Sequence, residues 1–410
     1  MSNCLRRLAG VSVAVVASAM LVACGGSSRT EPPVRHVFVI MLQSKNYSTT
    51  FAADSKAPYL SQTLAGQGAL LRQYYGTAHI STGNYIALFS GQAVTADTAQ
   101  GCGIYSDMVM TGMTADGQAI GNGCVYPAQI KTLPDQLAAA NLTWKGYMED
   151  LGKDPTRARA TCGNPTLNQR DRTQSSRPPS VALPSGDTYA ARHNPFVFFH
   201  SIVDSPACDA NVGNLDRLGD DLKSIDTTAN FTWITPGMCH GGHDTPCVNG
   251  EPGGLVSADA FLQKWVPLIM ASPAYKRDGL LVITFDQGDG SSSLSPDGKL
   301  FTYVYPGDSC CNQQPGPNVT FPITQSFPKG LTGYPYDIEI ITPRQGGGRI
   351  GAVLLSPFIR PGTVSDTPYN HYSMLRTLQE IFSVGPYLGY AGQPGLTSLG
   401  SDVFNAYLNP

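Results

Sequence analysis

Short, wholly apolar runs alternate with segments of helical spacing along most of the chain. Runs of strand length, rich in β-branched or aromatic residues, predict buried strands at 36–42, 143–148, 231–235, 280–286 and 351–355. Apolar positions that recur at helical spacing predict helices at 57–70, 133–142, 258–271 and 372–382. Strands that alternate with helices in this way predict an α/β fold with a mostly parallel central sheet flanked by helices on both faces.

Two stretches interrupt this alternation. Residues 150–195 and 288–348 are rich in Pro, Gly, Ser and polar side chains, and the apolar run 196–199 between them predicts one more short strand. A length of 410 residues allows more than one domain. Because the predicted strands and helices continue on either side of both stretches, we interpret them as excursions from a single domain at 35–410.

The first residues are typical of an export signal. Arg6 and Arg7 precede an apolar run at 8–22, which is too short for a membrane span and ends in small residues before Cys24. This ending resembles a lipobox, which implies a signal peptide at 1–23, lipidation of Cys24 and a flexible tether at 24–34. The alternative is an ordinary secretory signal with a chance cysteine. In either case we expect an exported protein, and the lipobox implies a membrane-anchored lipoprotein that faces the periplasm or cell surface.

The cysteines agree with export. When Cys4 and Cys24 are set aside, eight of the 10 cysteines remain, and an even number in an oxidising compartment predicts up to four disulfides. The short-range pairs Cys102–Cys124 and Cys239–Cys247 are favoured because each would close a loop that contains glycine or proline. A zinc site is the rival interpretation, but the chain has no pair of cysteines at CxxC spacing.

Charge narrows the choice of partners. The formal net charge is -3 and no run of basic residues occurs, so the composition argues against a nucleic-acid partner.

Polar residues cluster where predicted strands end. The segments 41–51, 79–91 and 284–290 follow or adjoin such strands, and ligands of open α/β sheets gather at these carboxyl ends. With the segments 239–244 and 368–376, they resemble in order and spacing the bacterial acid phosphatase and phospholipase C type phosphoesterases of the alkaline phosphatase superfamily. The resemblance runs from about 36 to 404 and implies an alkaline-phosphatase-like three-layer sandwich.

The segment 79–91 carries the candidate nucleophile. A serine between a strand and an apolar helix, with an asparagine three residues later, can present a hydroxyl and an amide at one helix N-terminus, which suits a phosphate group. The resemblance implies that Ser81 is the nucleophile and that Asn84 binds a phosphate oxygen. The alternative is that Ser81 caps the helix and Asn84 is a turn residue.

The resemblance also implies a divalent metal ion, but several expected ligands differ. The metal positions are occupied here by Gln43, Ser44, Asp286 and Gln287, and Gly241 stands where a further acidic residue is expected. Glutamine offers a neutral carbonyl where a carboxylate is expected, so we expect metal binding to be weakened. Asp289 is near enough in sequence to serve as a substitute ligand.

The histidines supply the remaining candidates. The resemblance puts His243 in the active site, where it would bind the transferring phosphoryl group or protonate the leaving group; the alternative is a surface loop shaped by Cys239–Cys247. His240 and His243 could also bind a metal ion together, but the sequence indicates no third ligand for such a site. Other candidates for the pocket are His79 and His193, whereas Asn370 and His371 are expected to begin the last helix in a capping role.

The leading hypothesis is hydrolysis of phosphomonoesters through a serine nucleophile and a divalent metal. Three alternatives remain: an inactive surface lipoprotein that binds a phosphate ester or a partner, a phospholipase C-like enzyme that acts on phospholipid head groups, and a sulfatase or transferase of the same superfamily.

Overall fold

The computed structural model describes residues 32–330 and 334–406. The signal peptide and the lipidation site at Cys24 lie outside these residues. Of the expected tether, Pro32 and Val34 are described and both are buried, with Val34 in the hydrophobic core.

The strands, in chain order, are β1 (His36–Leu42), β2 (Ala69–Leu71), β3 (Tyr74–Tyr75), β4 (Ile104–Tyr105), β5 (Val109–Met113), β6 (Ala119–Asn122), β7 (Trp144–Met148), β8 (Gln169–Arg170), β9 (Val212–Asn214), β10 (Phe231–Thr235), β11 (Gly279–Phe285), β12 (Ser291–Leu294), β13 (Leu300–Val304), β14 (Ile323–Phe327), β15 (Asp337–Thr342), β16 (Ala352–Leu355), β17 (Thr363–Ser365) and β18 (Tyr369–Asn370).

The α-helices are α1 (Tyr47–Thr50), α2 (Ala65–Gln67), α3 (Ser81–Ser90), α4 (Leu133–Ala139), α5 (His200–Val203), α6 (Pro206–Asn211), α7 (Leu218–Asp221), α8 (Gly254–Ala271), α9 (Pro273–Asp278) and α10 (His371–Phe382). A π-helix spans Tyr59–Leu64, and 3₁₀ turns span Thr98–Gln100, Ala191–His193, Pro195–Phe198, Leu215–Arg217 and Gly389–Gly392. No helix among the described residues has the length and apolar character needed to cross a bilayer.

An eight-stranded sheet organises the molecule, in the order β17-β2-β16-β11-β1-β10-β7-β9. The pairings from β11 through β1, β10 and β7 to β9 are parallel, as is β17 with β2, whereas β16 is antiparallel to both of its neighbours. Every residue of β1, β10 and β11 is buried, because apolar side chains cover both faces of these central strands. The predicted mostly parallel sheet is confirmed.

Helices pack on the sheet in two groups. The helices α3, α4 and α10 contact one another, and α4 contacts β7. The helices α8 and α9 contact each other, and α9 also contacts β1 and β11. All ten residues of α3 are buried, so this helix lies inside the molecule rather than on its surface. The helix-sheet arrangement agrees with the predicted α/β fold.

Candidate active site

The carboxyl ends of β1 and β11 bring the predicted metal positions together. The two strands are parallel neighbours whose last residues, Leu42 and Phe285, are in register. Gln43 and Asp286 follow directly, and the backbone amide of Ser44 donates to Oδ1 of Asp286 over 2.8 Å. Residues that are more than 240 positions apart in the chain therefore meet at one sheet edge, as the strand order requires.

Ser81 lies beside this carboxylate. It is the first residue of α3, only 1% exposed, and the preceding residue Ile80 makes no side-chain cap. Burial raises the pKa of the Asp286 carboxyl, and hydrogen bonding from the amide of Ser44 and the hydroxyl of Ser81 opposes that increase. Oδ2 of Asp286 is buried without a full hydrogen-bond partner. The structure thus brings the predicted nucleophile to a carboxylate with an oxygen to spare.

His243 approaches the same pocket from the loop after β10. Its Nδ1 lies 2.9 Å from Oδ1 of Asp244, whose other oxygen accepts from the hydroxyl of Ser176. Its Nε2 lies 3.2 Å from Nη2 of Arg192, which can only donate. Nε2 therefore accepts from Arg192 and Nδ1 carries the proton given to Asp244, so the ring is oriented at both nitrogens. A positive charge on this ring would lower the pKa of the nearby Asp286 carboxyl.

Arg192 and His193 form the wall of the pocket behind His243. Arg192 is 6% exposed, and besides His243 its guanidinium donates to the carbonyl of Gln174 and the sulfur of Met238. Within the described parts of the chain, no carboxylate forms an ion pair with Arg192. His193 is fully buried and neither of its ring nitrogens has a partner. The expectation that His193 reaches the pocket agrees with the 6.0 Å between its ring and that of His243.

Several polar atoms around this pocket lack partners. Besides Asp286 Oδ2 and the nitrogens of His193, these are the hydroxyl of Tyr85 and Oε1 of Gln43. Tyr85 stacks on His193 at 5.6 Å, and Asp286, Gln43 and Arg192 all act on its pKa. Buried polar atoms are nearly always paired, so a cluster of unpaired ones indicates a place where a polar ligand or water binds.

The predicted metal positions do not present a set of ligands for a divalent ion. The amide of Gln43 donates to the carbonyl of Pro236 over 3.0 Å, and it fills the space beside Gly241. A β-carbon at position 241 would lie 2.4 Å from Cδ of Gln43 and 2.5 Å from each of its terminal atoms. The neutral side chain at 43 thus occupies the volume of the missing acidic side chain at 241.

The side-chain amide of Gln287 also has hydrogen-bond partners within the protein. It donates to Oγ of Ser44 over 3.2 Å, and its oxygen lies 2.8 Å from Nδ1 of His79. Oδ1 of Asp286 already accepts hydrogen bonds from the backbone amides of Ser44 and Gln287. Only Oδ2 of this carboxylate therefore remains for a cation. Hard divalent ions need several anionic oxygens, and this donor set does not fit one.

Two predicted site residues have protein partners in this structure. Asn84 is buried, and its side chain accepts from the backbone amides of Thr77 and Ala78 and donates to the carbonyl of Ala78, so it braces the segment before α3. Asp289 is half exposed and binds the hydroxyl of Tyr303 and the amine of Lys45. Phosphate binding by Asn84 and metal binding by Asp289 stay predictions.

The remaining histidines have structural partners. His79 is buried, stacks on Tyr305 at 4.3 Å, and burial lowers its pKa to about 4. The side chain of Asn370 accepts from the amide of Ser373 and caps α10, as predicted. His371, whose pKa burial lowers to about 4, donates to the backbone carbonyl of Asp286 and fixes that residue.

His240 is not a metal ligand in this arrangement. It lies 2.8 Å from Glu149 and 2.9 Å from Glu251 through its two nitrogens. Cys239, His240 and Glu251 form a compact group in the described part of the chain, but the sulfur of Cys239 is bonded to Cys247. The predicted pairs Cys102–Cys124 and Cys239–Cys247 are confirmed, and Cys162–Cys208 and Cys310–Cys311 complete the expected four.

Arg192 and Tyr85 were missed by sequence reasoning. Arg192 directly precedes a histidine that we did consider, and Tyr85 lies one helical turn after Ser81, which puts it on the same helix face. An arginine shortly before an apolar run can be recognised in the sequence as a residue that will be buried. That Arg192 forms no ion pair depends on the fold and cannot be recognised there.

Comparison with known proteins agrees with the motifs. A model described as the Phosphoesterase family matches residues 38–385. The chain belongs to the phosphoesterase family. This confirms the resemblance inferred from the five segments.

Relatives within this family are distant. A phosphate-repressible acid phosphatase of Penicillium chrysogenum is 24% identical over 357 residues, which cover 84% of this chain and 62% of that protein. An acid phosphatase of Aspergillus fumigatus is 26% identical, over 66% of this chain and 48% of the relative. The chain thus spans about half to three fifths of the length of these fungal relatives. A phosphatidylinositol-3-phosphatase of Mycobacterium tuberculosis is 22% identical over 90% of this chain and 84% of its own length.

Proposed function

We propose that the protein hydrolyses phosphate esters, with phosphomonoesters as substrates and Ser81 as the nucleophile. The observation that carries this proposal is the meeting of the Ser81 hydroxyl, at the start of α3, with the Asp286 carboxylate at the end of β11. Membership of the phosphoesterase family and relatives named as phosphatases support the same chemistry.

In this mechanism the Ser81 oxygen attacks phosphorus in line with the leaving oxygen, and Asp286 accepts the hydroxyl proton. Because burial raises the pKa of Asp286, its carboxylate is a stronger base than a solvated one. The leaving alkoxide takes a proton from a water molecule, and the hydroxide so formed attacks the phosphoserine. Asp286 returns the serine proton as phosphate leaves. His243 is held by Asp244 at Nδ1 and accepts from Arg192 at Nε2, so it orients that guanidinium.

No step in this scheme passes through a divalent cation, because the residues at the expected metal positions do not fit one. Positive charge near the reacting phosphate must then come from the chain itself, as hydrogen-bond donors and side-chain cations can supply it in a dry pocket.

The test is hydrolysis of p-nitrophenyl phosphate by the wild type and by Ser81→Ala, each with EDTA and with added Mg²⁺, Zn²⁺ or Ca²⁺. We expect the serine variant to fall to the background rate. Ser90→Ala is the matched control, since Ser90 is also a buried serine of α3 but lies at the other end of the helix, where its hydroxyl donates to the carbonyl of Ile86 and accepts from the amide of Gln92. Equal rates for the wild type and Ser81→Ala would overturn the mechanism.

The same assay separates the neighbouring activities. Bis-p-nitrophenyl phosphate and phosphatidylcholine report on phospholipase C-like cleavage of diesters and lipid head groups, and p-nitrophenyl sulfate reports on a sulfatase. The proposal requires the monoester to be the fastest substrate.

A second candidate function is ligand binding without turnover. The observation that favours it is the amide of Gln43 in the volume of the side chain absent at Gly241. The discriminating variant combines Gln43→Glu, Ser44→Asn, Gly241→Asp and Gln287→Glu. If the wild type is inactive and this variant gains metal-dependent hydrolysis, the present chain is a binding protein on a phosphoesterase scaffold.

We also propose that the protein is exported and anchored by lipid at Cys24. The four disulfides of the folded part are compatible with an oxidising compartment. Cys24→Ser should release the protein from the membrane fraction of cells; a serine variant that stays with the membranes would contradict the anchor.

A further inference from the structure

The site contains a buried cation that no carboxylate contacts as an ion pair. Arg192 is 6% exposed, and its hydrogen-bond partners are a backbone carbonyl, a thioether sulfur and an imidazole nitrogen of His243. A buried charge is costly unless an opposite charge or a strong set of hydrogen bonds compensates it. Arg157, the other buried arginine among the described residues, pairs with Asp187 at 2.7 Å. Arg192 therefore lacks the direct partner that Arg157 has.

Three acids act on the pKa of Arg192, but none forms an ion pair with it among the described residues. Asp171 acts most strongly, followed by Asp244 and Asp286. The oxygens of Asp171 accept from Thr173 and Gln174, whereas those of Asp244 bind His243 and Ser176. The positive charge of Arg192 is therefore offset only at a distance, by acids that do not contact it.

Independent groups point to the same space. Tyr85 lies on α3 one turn after Ser81, and its buried hydroxyl makes no hydrogen bond of normal geometry. Asp286, Gln43 and Arg192 are its polar neighbours, since each of them acts on its pKa. Both nitrogens of His193 are also unpaired, and its ring lies against those of Tyr85 and His243. In the first turn of α3 the amide of Gly83 donates to the carbonyl of Ile80, whereas helix geometry leaves the amides before it without a partner inside the helix. A phosphate group offers acceptors to all of these donors.

We propose that this pocket binds the phosphate group of an ester through Arg192, with the first turn of α3 and the Tyr85 hydroxyl, and that it does so without a divalent cation. A site with acidic residues at positions 43, 241 and 287 would hold a metal ion, and that ion would supply positive charge to the phosphate. In this protein the guanidinium of Arg192 supplies that charge instead. The inference rests on the proposed function only in using the same pocket, and it concerns binding rather than turnover.

The test is calorimetric titration of the intact protein with inorganic phosphate in EDTA. We expect the wild type to bind, with an affinity that added Mg²⁺, Zn²⁺ or Ca²⁺ leaves unchanged. Arg192→Gln should weaken binding by about tenfold or more, the scale of one charge-assisted contact, and Arg192→Lys should lose less than Arg192→Gln. Arg159→Gln is the matched control, since Arg159 is exposed and pairs with Asp209 at the surface; its affinity should equal that of the wild type.

Three results would overturn the proposal: wild-type binding that appears only after a divalent ion is added, no phosphate binding under any condition, or wild-type affinity in a folded Arg192→Gln variant. If that variant does not fold, the wild-type titrations with and without metal still decide. The titrations involve no turnover, so a failure of the proposed catalysis, seen as equal hydrolysis by the wild type and Ser81→Ala, is distinguishable from a failure of metal-free binding.

Discussion

The side-chain amide of Gln43 fills the space that a side chain at position 241 would occupy. The Gln43 amide lies where a β-carbon at 241 would be, at 2.4–2.5 Å, and it is anchored on Pro236. The two departures from the family pattern are therefore coupled physically. Restoring an acid at 241 alone would not restore a metal site, because the side chain at 43 must first leave that space.

This coupling predicts a non-additive pair of substitutions. Gly241→Ala should destabilise the protein by about 1–3 kcal/mol through overpacking against Gln43, and most of that loss should disappear in a Gln43→Ala background. Gly241 does not have a positive φ, so backbone strain does not contribute. The measurement is urea unfolding of the wild type, both single variants and the double variant. Gly219→Ala, which meets nothing within 4 Å, is the control; additive losses at 43 and 241 would refute the coupling.

The loop between β10 and α8 is the element that carries His243, and it is tied to the sheet at His240. Hydrogen bonds to Glu149, which follows β7, and to Glu251 raise the pKa of His240 to about 9. The folded state thus binds the proton more tightly than the unfolded chain, in which histidine has a pKa near ~6.5.

From this we predict a pH-dependent contribution of one loop. The stabilisation from His240 should be fully present below pH ~6.5 and lost as the pH rises through about 9. The difference in unfolding free energy between the wild type and His240→Gln should therefore be largest near pH 6 and shrink by pH 10. Urea midpoints at pH 6, 8 and 10 measure it. A difference that stays constant over this range would show that the charge of His240 does not stabilise the loop.

The sequence predicted the central elements well and the irregular ones poorly. β1 and β10 match their predicted bounds because an apolar run that is buried on both faces leaves little choice of structure. The apolar run 196–199 is not a strand, because Pro195 and the side chain of Asn194, which accepts from the amide of Phe196, begin a 3₁₀ turn there. The sheet of β12 to β15 inside 288–348 was not predicted. β12 and β14 carry polar side chains at most positions, and the more apolar β13 and β15 are short, incompletely buried and set in a stretch rich in Pro, Gly and polar residues.

The candidate site was predictable in part for a related reason. Ser81 and Asp286 stand at the ends of strongly patterned elements, so strand order alone brings them to one edge. Other contacts of the site depend on which way side chains point in irregular segments. These are the hydrogen bonds of Asn84, those of Asp289, and the position of Arg192 beside His243. Sequence pattern gives no information on those directions.

Over the whole molecule, disulfides fasten the irregular excursions to the sheet core. Cys162–Cys208 joins the excursion at 150–195 to α6 across 46 positions, whereas Cys239–Cys247 closes a loop across 8 positions around His243. One crosslink restrains much of the unfolded chain and the other restrains mainly the active-site loop.

Removing Cys162–Cys208 should therefore cost more stability, whereas removing Cys239–Cys247 should cost more activity. Loop-closure entropy makes the Cys162–Cys208 bond more stabilising than Cys239–Cys247 by about 1.5 kcal/mol, so its paired alanine variant should lose more unfolding free energy in urea. Phosphate-ester hydrolysis should instead fall further in the Cys239→Ala, Cys247→Ala variant, because His243 loses the loop that directs its ring toward the pocket. Measuring both quantities on both variants separates the roles. If one variant were worse in both respects, stability of the whole fold, rather than local positioning, would govern the site.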